Sequence, residues 1–180
     1  MIRELHIFDF DGTLFRSAEA PEWWPSNKGW WGQPESLDPP CVPERPGPEW
    51  WITHTVADAK KSIANPEVYT VLLTGRLAKR FDRRVKVLLQ QNALHFDEVV
   101  LTTGSGTLPF KLKVIDHLME KFPLERIEMW DDRTEHASVF DSTLAAKGIE
   151  FEIHIVRAPA HEPECSDPAS RVAARFQGRR

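Results

Sequence analysis

Five short apolar runs recur along this chain, separated by segments with the spacing of amphipathic helices. Residues 77–88 carry apolar side chains at intervals of four, four and three residues, which places them on one helical face. Residues 112–122 show a similar spacing, and a third helix is expected to begin at 131–134 and end near Ala146, before Gly148. Strands that alternate with helices favour a parallel sheet covered on both faces. We therefore predict an α/β, Rossmann-like fold with a mainly parallel sheet. The predicted strands are residues 4–10, 68–73, 98–101, 127–130 and 151–156.

The segment 16–50 interrupts this alternation with eight prolines in 35 residues and no sustained periodicity. Six of the seven tryptophans lie in this segment or directly after it as three adjacent pairs, at positions 23–24, 30–31 and 50–51. Disordered segments are poor in aromatic residues, so this composition favours a folded lid. We predict one domain over residues 1–157, with this insertion spanning about 16–66, and a partly disordered tail over 158–180.

The net charge of −4 gives no sign of nucleic-acid binding through bulk electrostatics, although a local basic stripe remains compatible with it. Cys41 and Cys165 are the only cysteines, and their spacing matches no zinc motif. We expect both to be reduced, as in a cytoplasmic protein. No charged leader and no run of 18 apolar residues occurs in the sequence, so we expect no membrane association.

Two carboxylates two residues apart, Asp9 and Asp11, stand at the end of the first apolar run. Residues i and i+2 of a strand point to the same side, so both side chains are expected to converge where Gly12 permits a turn. Two close carboxylates repel each other unless a cation or a shared proton relieves them. Mg²⁺ is the cation that suits such oxygen ligands.

Three further polar features follow predicted strands, at the sheet edge where open α/β sheets bind ligands. Thr74 and Gly75 offer a hydroxyl, a backbone N–H and close approach to a phosphate group. Lys111 supplies a positive charge near both the phosphate and Asp9, although Lys113 is an alternative two residues away. Phosphoryl transfer needs a nucleophile, and positive charge that offsets the negative charge of the transferring group. Asp9 is the candidate nucleophile, and Lys111 and the metal are the candidate positive charges.

The remaining candidate roles belong to Asp11, to the acidic pair Asp131 and Asp132, and to three basic residues. Asp11 is the candidate general acid and base, protonating the leaving oxygen and later deprotonating the attacking water. Asp132 is expected to bind the metal together with Asp9 and the Asp11 carbonyl, and Asp131 to act behind it or through water. Arg76, Arg133 and His136 are candidates for substrate contact, although all three are also ordinary surface residue types.

This ordered set resembles the haloacid dehalogenase-like (HAD) phosphatases, whose motifs are Asp-x-Asp-Gly-Thr, a strand-end Thr or Ser, a Lys and an acidic pair. Residues 73–76 and 131–134 are similar to the 3'-phosphatase domain of polynucleotide kinase-phosphatases. Residues 8–15, the Trp-Trp-rich insertion and the Asp-Arg-x-x-His sequence beginning at Asp132 resemble the Swiss Army Knife RNA repair-like group more closely. The resemblance covers roughly residues 2–157, with one departure at Asp131, where that group often has Glu.

The resemblance implies a HAD fold and a Mg²⁺-dependent phosphohydrolase that works through an aspartyl-phosphate at RNA or nucleotide ends. Two alternatives stay open: a phosphatase of small phosphorylated metabolites, and a catalytically silent module that binds RNA or protein. The tryptophan pairs fit either base stacking or the small core of a lid. The stripe of basic residues fits either a phosphate-backbone contact or the solvated face of a helix. It comprises Arg76, Lys79, Arg80, Arg83, Arg84 and Lys86.

Overall fold

A computed structural model describes residues 2–25, 29–104, 106–158 and 165. Its centre is a five-stranded sheet in the order β3-β2-β1-β4-β5, in which every neighbouring pair is parallel. The α/β class, the parallel sheet and the five strand positions are therefore as predicted. The strands are β1 (Glu4–Phe8), β2 (Val68–Leu77), β3 (Glu98–Thr102), β4 (Arg126–Asp131) and β5 (Glu150–Ile155).

Four α-helices connect these strands: α1 (Thr53–Ile63), α2 (Ala78–Gln91), α3 (Thr107–Lys121) and α4 (Thr134–Ala145). The last three correspond to the predicted helical segments. Helix α1 was not predicted, because it lies at the end of a segment that carries no clear apolar period. Among the described residues, no helix combines the length and the apolar character needed to cross a membrane.

The core forms two apolar layers, one on each face of the sheet. Alternation along β1 sends Leu5 and Ile7 to one layer and Phe8 to the other, as the period of a strand requires. Helices α3 and α4 cover the Leu5 side, and α1 and α2 cover the Phe8 side together with the insertion. Helices on both faces are what a parallel sheet needs to exclude water from its two apolar surfaces.

The Trp/Pro-rich insertion packs on the Phe8 layer and contains three short 3₁₀ helices. Three of its six described tryptophans are core residues: Trp30, Trp50 and Trp51 are each at most 4% exposed. Phe15 links this small core to the sheet by stacking on Trp50, with ring centres 5.7 Å apart. The core interpretation of the tryptophan pairs therefore applies to these three residues.

The oxidation state of the two cysteines differs from the prediction. Cys41, in the insertion, and Cys165 form a disulfide that joins positions 124 residues apart. The expectation of two reduced cysteines is therefore wrong, because the fold brings together two proline-rich stretches that are distant in sequence. The rest of the tail, residues 159–164 and 166–180, lies outside the described residues, so its predicted disorder stays a prediction.

Strand order decides where the ends of β1 and β4 meet. The chain moves from β1 towards β3 in one direction and then returns to β4 on the other side of β1, so the crossover reverses there. The Asp9 N–H donates to the Trp130 carbonyl at 3.0 Å, which carries the contact between the two strands past the end of β1. Ligands of open α/β sheets bind at such a reversal point.

Candidate active site

A cavity of about 590 Å³ opens at the carboxyl ends of the strands, beside the point where the connections reverse. Its wall combines residues that follow β1, β2 and β4 with residues of the insertion. Most of the predicted site residues meet here. Those that line the cavity are Asp9, Asp11, Gly75, Arg76, Asp132 and Arg133.

Asp9 and Lys111 form a buried ion pair beside this cavity. The Lys111 Nζ lies 3.1 Å from Asp9 Oδ1 and 2.6 Å from Asp131 Oδ2, and its side chain is completely buried. Lys113 points to solvent, since it is two residues further along α3 and so on a different face of the helix. Of the two lysines that the sequence offered, Lys111 is therefore the one that contacts the acidic residues.

Burial and the neighbouring charges determine the pKa values of Asp9 and Lys111. Burial raises the pKa of Asp9 to about 7, and the nearby carboxylates reinforce this increase while Lys111 opposes it. Burial disfavours the Lys111 ammonium, but the charges of Asp9 and Asp131 outweigh that effect and raise its pKa. The lysine is therefore charged, and a single positive charge does not fully compensate the acidic groups around it.

Three carboxylates converge beside Lys111: oxygens of Asp9, Asp131 and Asp132 all lie within 4.8 Å of one another. Asp131 is completely buried and also accepts a hydrogen bond from the Arg133 N–H at 2.9 Å, so it faces inwards. Asp132 is exposed and lines the cavity. Asp132 thus lies on the cavity side and Asp131 behind it, and their binding to a metal stays a prediction.

The residues present fit a Mg²⁺ ion. The donors are hard carboxylate oxygens, which this cation prefers over nitrogen or sulfur ligands. Burial and the neighbouring Asp131 raise the pKa of Asp132, as they do that of Asp9, which indicates negative charge in excess of its local compensation. Gly12 leaves the space that Asp132 needs, because a Cβ at position 12 would lie 2.5 Å from Asp132 Oδ2.

Asp11 is held in a different way from Asp9. Arg76 donates to it through Nη2 at 2.7 Å and Nε at 3.0 Å, and the Ser17 hydroxyl donates a third hydrogen bond. Burial opposes ionisation of Asp11, but the Arg76 charge and these hydrogen bonds prevail and lower its pKa. The prediction assigns the metal contact to the main-chain carbonyl of Asp11. That contact does not compete with the hydrogen bonds of the Asp11 side chain.

The sequence made Arg76 a candidate for substrate contact. In the fold it is consequently not a free cation. Only 3% of the residue is exposed, and its guanidinium also donates to the Trp31 carbonyl and the Ser36 hydroxyl. The arginine instead links the insertion to Asp11. A Thr-Gly-Arg sequence alone does not reveal such a partner, because Asp11 is 65 residues away.

At the β2 end of the site, the two predicted phosphate-binding residues differ: Gly75 is part of the cavity wall and Thr74 is not. Thr74 is fully buried, and its hydroxyl accepts a hydrogen bond from the Arg76 N–H at 3.2 Å. Gly75 lines the cavity and faces Thr107, whose Oγ1 would lie 2.8 Å from a Cβ at position 75. Thr107 and Ser17 were missed by sequence reasoning; each is a single hydroxyl residue that carries no motif of its own.

The two other candidates for substrate contact, Arg133 and His136, lie in different surroundings. Arg133 is exposed and lines the cavity. His136 does not line it; the ring lies edge-on to Phe140 with centres 6.3 Å apart. One turn of α4 separates the two residues, and the helix turns the histidine away from the cavity. A substrate contact by His136 is therefore not supported.

The basic stripe is not a continuous free surface. Arg84 donates to the carbonyls of Leu37, Pro43 and Glu44, and Arg80 donates to that of Gly32. Arg80 and Arg84 attach helix α2 to the insertion, and Arg76 attaches β2 to it. Half of the stripe thus satisfies backbone carbonyls of the insertion, whereas Lys79, Arg83 and Lys86 are exposed.

Comparison with known proteins supports the resemblance on which these assignments rest. The sequence model for HAD domain family 1 in Swiss Army Knife RNA repair proteins matches residues 12–164. The chain belongs to this family. The match begins directly after Asp11, and it includes the Thr-Gly-Arg sequence, Lys111 and the acidic pair.

The chain is also similar to a yeast protein and to a solved bacterial structure. Uncharacterized protein YMR265C of Saccharomyces cerevisiae is 25% identical over 169 residues, covering 78% of this chain and 37% of the yeast protein. The chain thus spans little more than a third of that relative. The structure of the HAD domain of the effector protein Lem4 from Legionella pneumophila, an inactive mutant, superposes with a TM-score of 0.54 at 14% identity. That superposition covers 98% of this chain and 94% of the Lem4 domain, and it confirms the HAD fold.

Proposed function

We propose that this protein is a Mg²⁺-dependent phosphohydrolase that removes phosphate from RNA or nucleotide ends through an aspartyl-phosphate on Asp9. The observation that carries the proposal is the buried contact of Asp9 with Lys111, 3.1 Å long, beside a cavity that Asp132 and Gly75 also line. A nucleophile, a fixed positive charge and room for a phosphate thus occur together, which is what phosphoryl transfer requires.

In the first step an Asp9 carboxylate oxygen forms a bond to phosphorus while the bond from phosphorus to the leaving oxygen breaks. Lys111 offsets the negative charge of the acid group and the transferring phosphoryl. Asp9, Asp132 and the Asp11 carbonyl would hold Mg²⁺, with Asp131 behind them; when bound, the ion would neutralise charge on the phosphate and keep Asp9 ionised. The leaving oxygen receives its proton from the protonated fraction of Asp11, which the second step regenerates.

In the second step a water oxygen attacks phosphorus, the bond between phosphorus and Asp9 breaks, and inorganic phosphate leaves. Asp11 takes the proton of that water, a role for which its lowered pKa makes it available at neutral pH. Asp9 returns to its starting form. Ser17 and Arg76 hold Asp11 in one orientation throughout, because three hydrogen bonds restrict it.

Phosphate release from p-nitrophenyl phosphate and from a 3'-phosphorylated RNA oligonucleotide, with Mg²⁺ and with EDTA, tests the proposal. We expect release only with Mg²⁺, and loss of at least about 10³-fold in kcat for Asp9→Asn, since the amide cannot attack phosphorus. Full activity of Asp9→Asn would exclude the aspartyl-phosphate. Absence of Mg²⁺-dependent release from every substrate, combined with RNA binding, would favour a silent binding module.

A phosphatase of small metabolites is the second candidate. A cavity of about 590 Å³ lies within the range of small-ligand sites and is large enough for one nucleotide or sugar phosphate. A panel of sugar phosphates, mononucleotides and RNA carrying 2'- or 3'-phosphates distinguishes the candidates by kcat/KM. We expect the phosphorylated RNA ends to rank highest.

A further inference from the structure

Trp31 is the exception among the tryptophans of the insertion. It is 48% exposed and is the only large apolar residue so exposed in the part of the chain that the structure describes. Its neighbour Trp30 is 1% exposed and donates its Nε1–H to the Ala18 carbonyl at 2.7 Å. Trp31 therefore does not contribute to the small core of the insertion; it lines the cavity that Asp9 also lines.

The indole of Trp31 is held in a defined position. The residue lies in a short 3₁₀ helix, Trp30–Gly32, and its carbonyl accepts a hydrogen bond from Arg76 Nη1 at 3.0 Å. The Arg76 guanidinium carbon lies 5.1 Å from the indole centre and 4.8 Å from the ring centre of Phe81. The guanidinium thus supports the indole from the protein side and is itself packed against the buried Phe81 ring, and the indole lines the cavity.

The Arg76 guanidinium also fixes the position of the indole relative to Asp11, the candidate acid and base. Arg76 contacts Asp11 through Nε and Nη2, so a single planar group separates the candidate acid and base from the indole. Asp11 serves the leaving oxygen in the proposed reaction. A planar group stacked on Trp31 therefore belongs to the leaving part of the substrate and not to the transferred phosphate.

We propose that Trp31 stacks on the terminal nucleobase of a phosphorylated RNA end, the base of the nucleotide that loses its phosphate. Exposed aromatic faces bind bases of any identity in this way. Two exposed arginines that line the same cavity, Arg133 and Arg157, offer positive charge to the neighbouring phosphodiester. This inference rests on the proposed function, and it names the part of the substrate that the site recognises besides the phosphate.

The experiment measures binding, so that it does not depend on turnover. In the Asp9→Asn background, anisotropy gives Kd values for short 5'-labelled RNAs that end in a 3'-phosphate, with the terminal base either present or replaced by an abasic ribose. Trp31→Ala and Trp31→Phe are introduced into the same background. Trp31→Phe is the matched control, since it keeps an aromatic face of smaller size.

We expect the terminal base to tighten binding roughly 5- to 150-fold in the Asp9→Asn protein, as base stacking on an aromatic ring does. Trp31→Ala should reduce this base-dependent ratio towards one, and Trp31→Phe should keep most of it. Thermal melting checks that the variants fold. The inference is overturned if Trp31→Ala leaves the ratio unchanged, if the ratio is close to one before that substitution, or if neither RNA binds.

The two proposals fail in different ways. Phosphate release from RNA ends without any base-dependent ratio would remove the role of Trp31 and leave the hydrolase intact. A base-dependent ratio that Trp31→Ala abolishes, in a protein that releases no phosphate, would keep the base contact and exclude hydrolysis.

Discussion

Asp9 and Asp11 are two residues apart, yet their surroundings shift their proton affinities in opposite directions. Burial raises the pKa of Asp9 to about 7, whereas the Arg76 charge outweighs the effect of burial and lowers the pKa of Asp11. Two neighbouring carboxyl groups thus differ in pKa because of their environments alone. The difference here comes from the partner of each group: a shared lysine for Asp9 and a dedicated arginine for Asp11.

The lowered pKa of Asp11 leads to a pH prediction. Above its pKa the protonated fraction of a carboxyl group falls about tenfold per pH unit, so less acid is present to assist the leaving oxygen. With saturating Mg²⁺, kcat for a nucleoside phosphate, which needs that proton, should fall relative to kcat for p-nitrophenyl phosphate between pH 5 and pH 8. A constant ratio of the two kcat values across this range would argue against Asp11 as the acid.

Lys111 and Lys113 offer a matched pair of substitutions. Lys111→Met leaves Asp9 and Asp131 buried without their cation, which should lower the free energy of unfolding by about 3–5 kcal/mol and abolish phosphate release. Lys113 is exposed, so Lys113→Met should change neither quantity appreciably. Urea unfolding with EDTA at pH 8 and a phosphate-release assay measure both effects. Equal stability of the two variants would contradict the ion-pair assignment.

At the scale of elements, the turn after β1 leaves the space that Asp132 occupies at the end of β4. Gly12 has φ +68°, and a Cβ there would lie 2.5 Å from Asp132 Oδ2. Gly148 after α4 has φ +73° but nothing within 4 Å of a Cβ. Both Gly→Ala substitutions should cost about 1–2 kcal/mol because of the left-handed backbone.

Only Gly12→Ala should also displace Asp132. We expect it to raise the Mg²⁺ concentration for half-maximal activity by about 10- to 100-fold, as disturbance of a metal-supporting contact does. Gly148→Ala should leave that concentration unchanged, and Mg²⁺ titrations of phosphate release compare the two. The same Mg²⁺ requirement in both variants would mean that Asp132 does not depend on the Gly12 turn.

Helix α2 shows how an element acquires a second use in the folded protein. Its apolar face has the expected helical spacing and packs in the core through Phe81 and Val85. Two of its basic side chains, Arg80 and Arg84, however, bind carbonyls of the insertion, whose irregular backbone leaves acceptors without partners of its own. Spacing predicts which face of a helix is buried, but not which distant loop will rest on its polar side.

At the scale of the whole molecule, the Cys41–Cys165 disulfide attaches the insertion to the end of the described chain. Closing so long a loop restricts the unfolded state, and its reduction should lower the free energy of unfolding by about 2–4 kcal/mol. Thermal melting of the oxidised protein, the reduced protein and Cys41→Ser measures the effect. Cys41→Ser should melt like the reduced protein, and titration of the unfolded oxidised protein should find no free thiol. Two free thiols in that titration would contradict the bond.

The amino-acid sequence by itself determined the strand and helix alternation, and with it the carboxyl-edge position of Asp9, Thr74, Lys111 and Asp132. Those features are local, because period and strand ends depend on neighbouring residues. Only the tertiary structure decided that Arg76 pairs with Asp11, that Lys111 rather than Lys113 is buried, and that Trp31 faces the cavity while Trp30 is in the core. These contacts join residues far apart in the chain, and strand order together with packing of the insertion brings them together. Side chains of one type therefore take different roles according to what the fold places next to them.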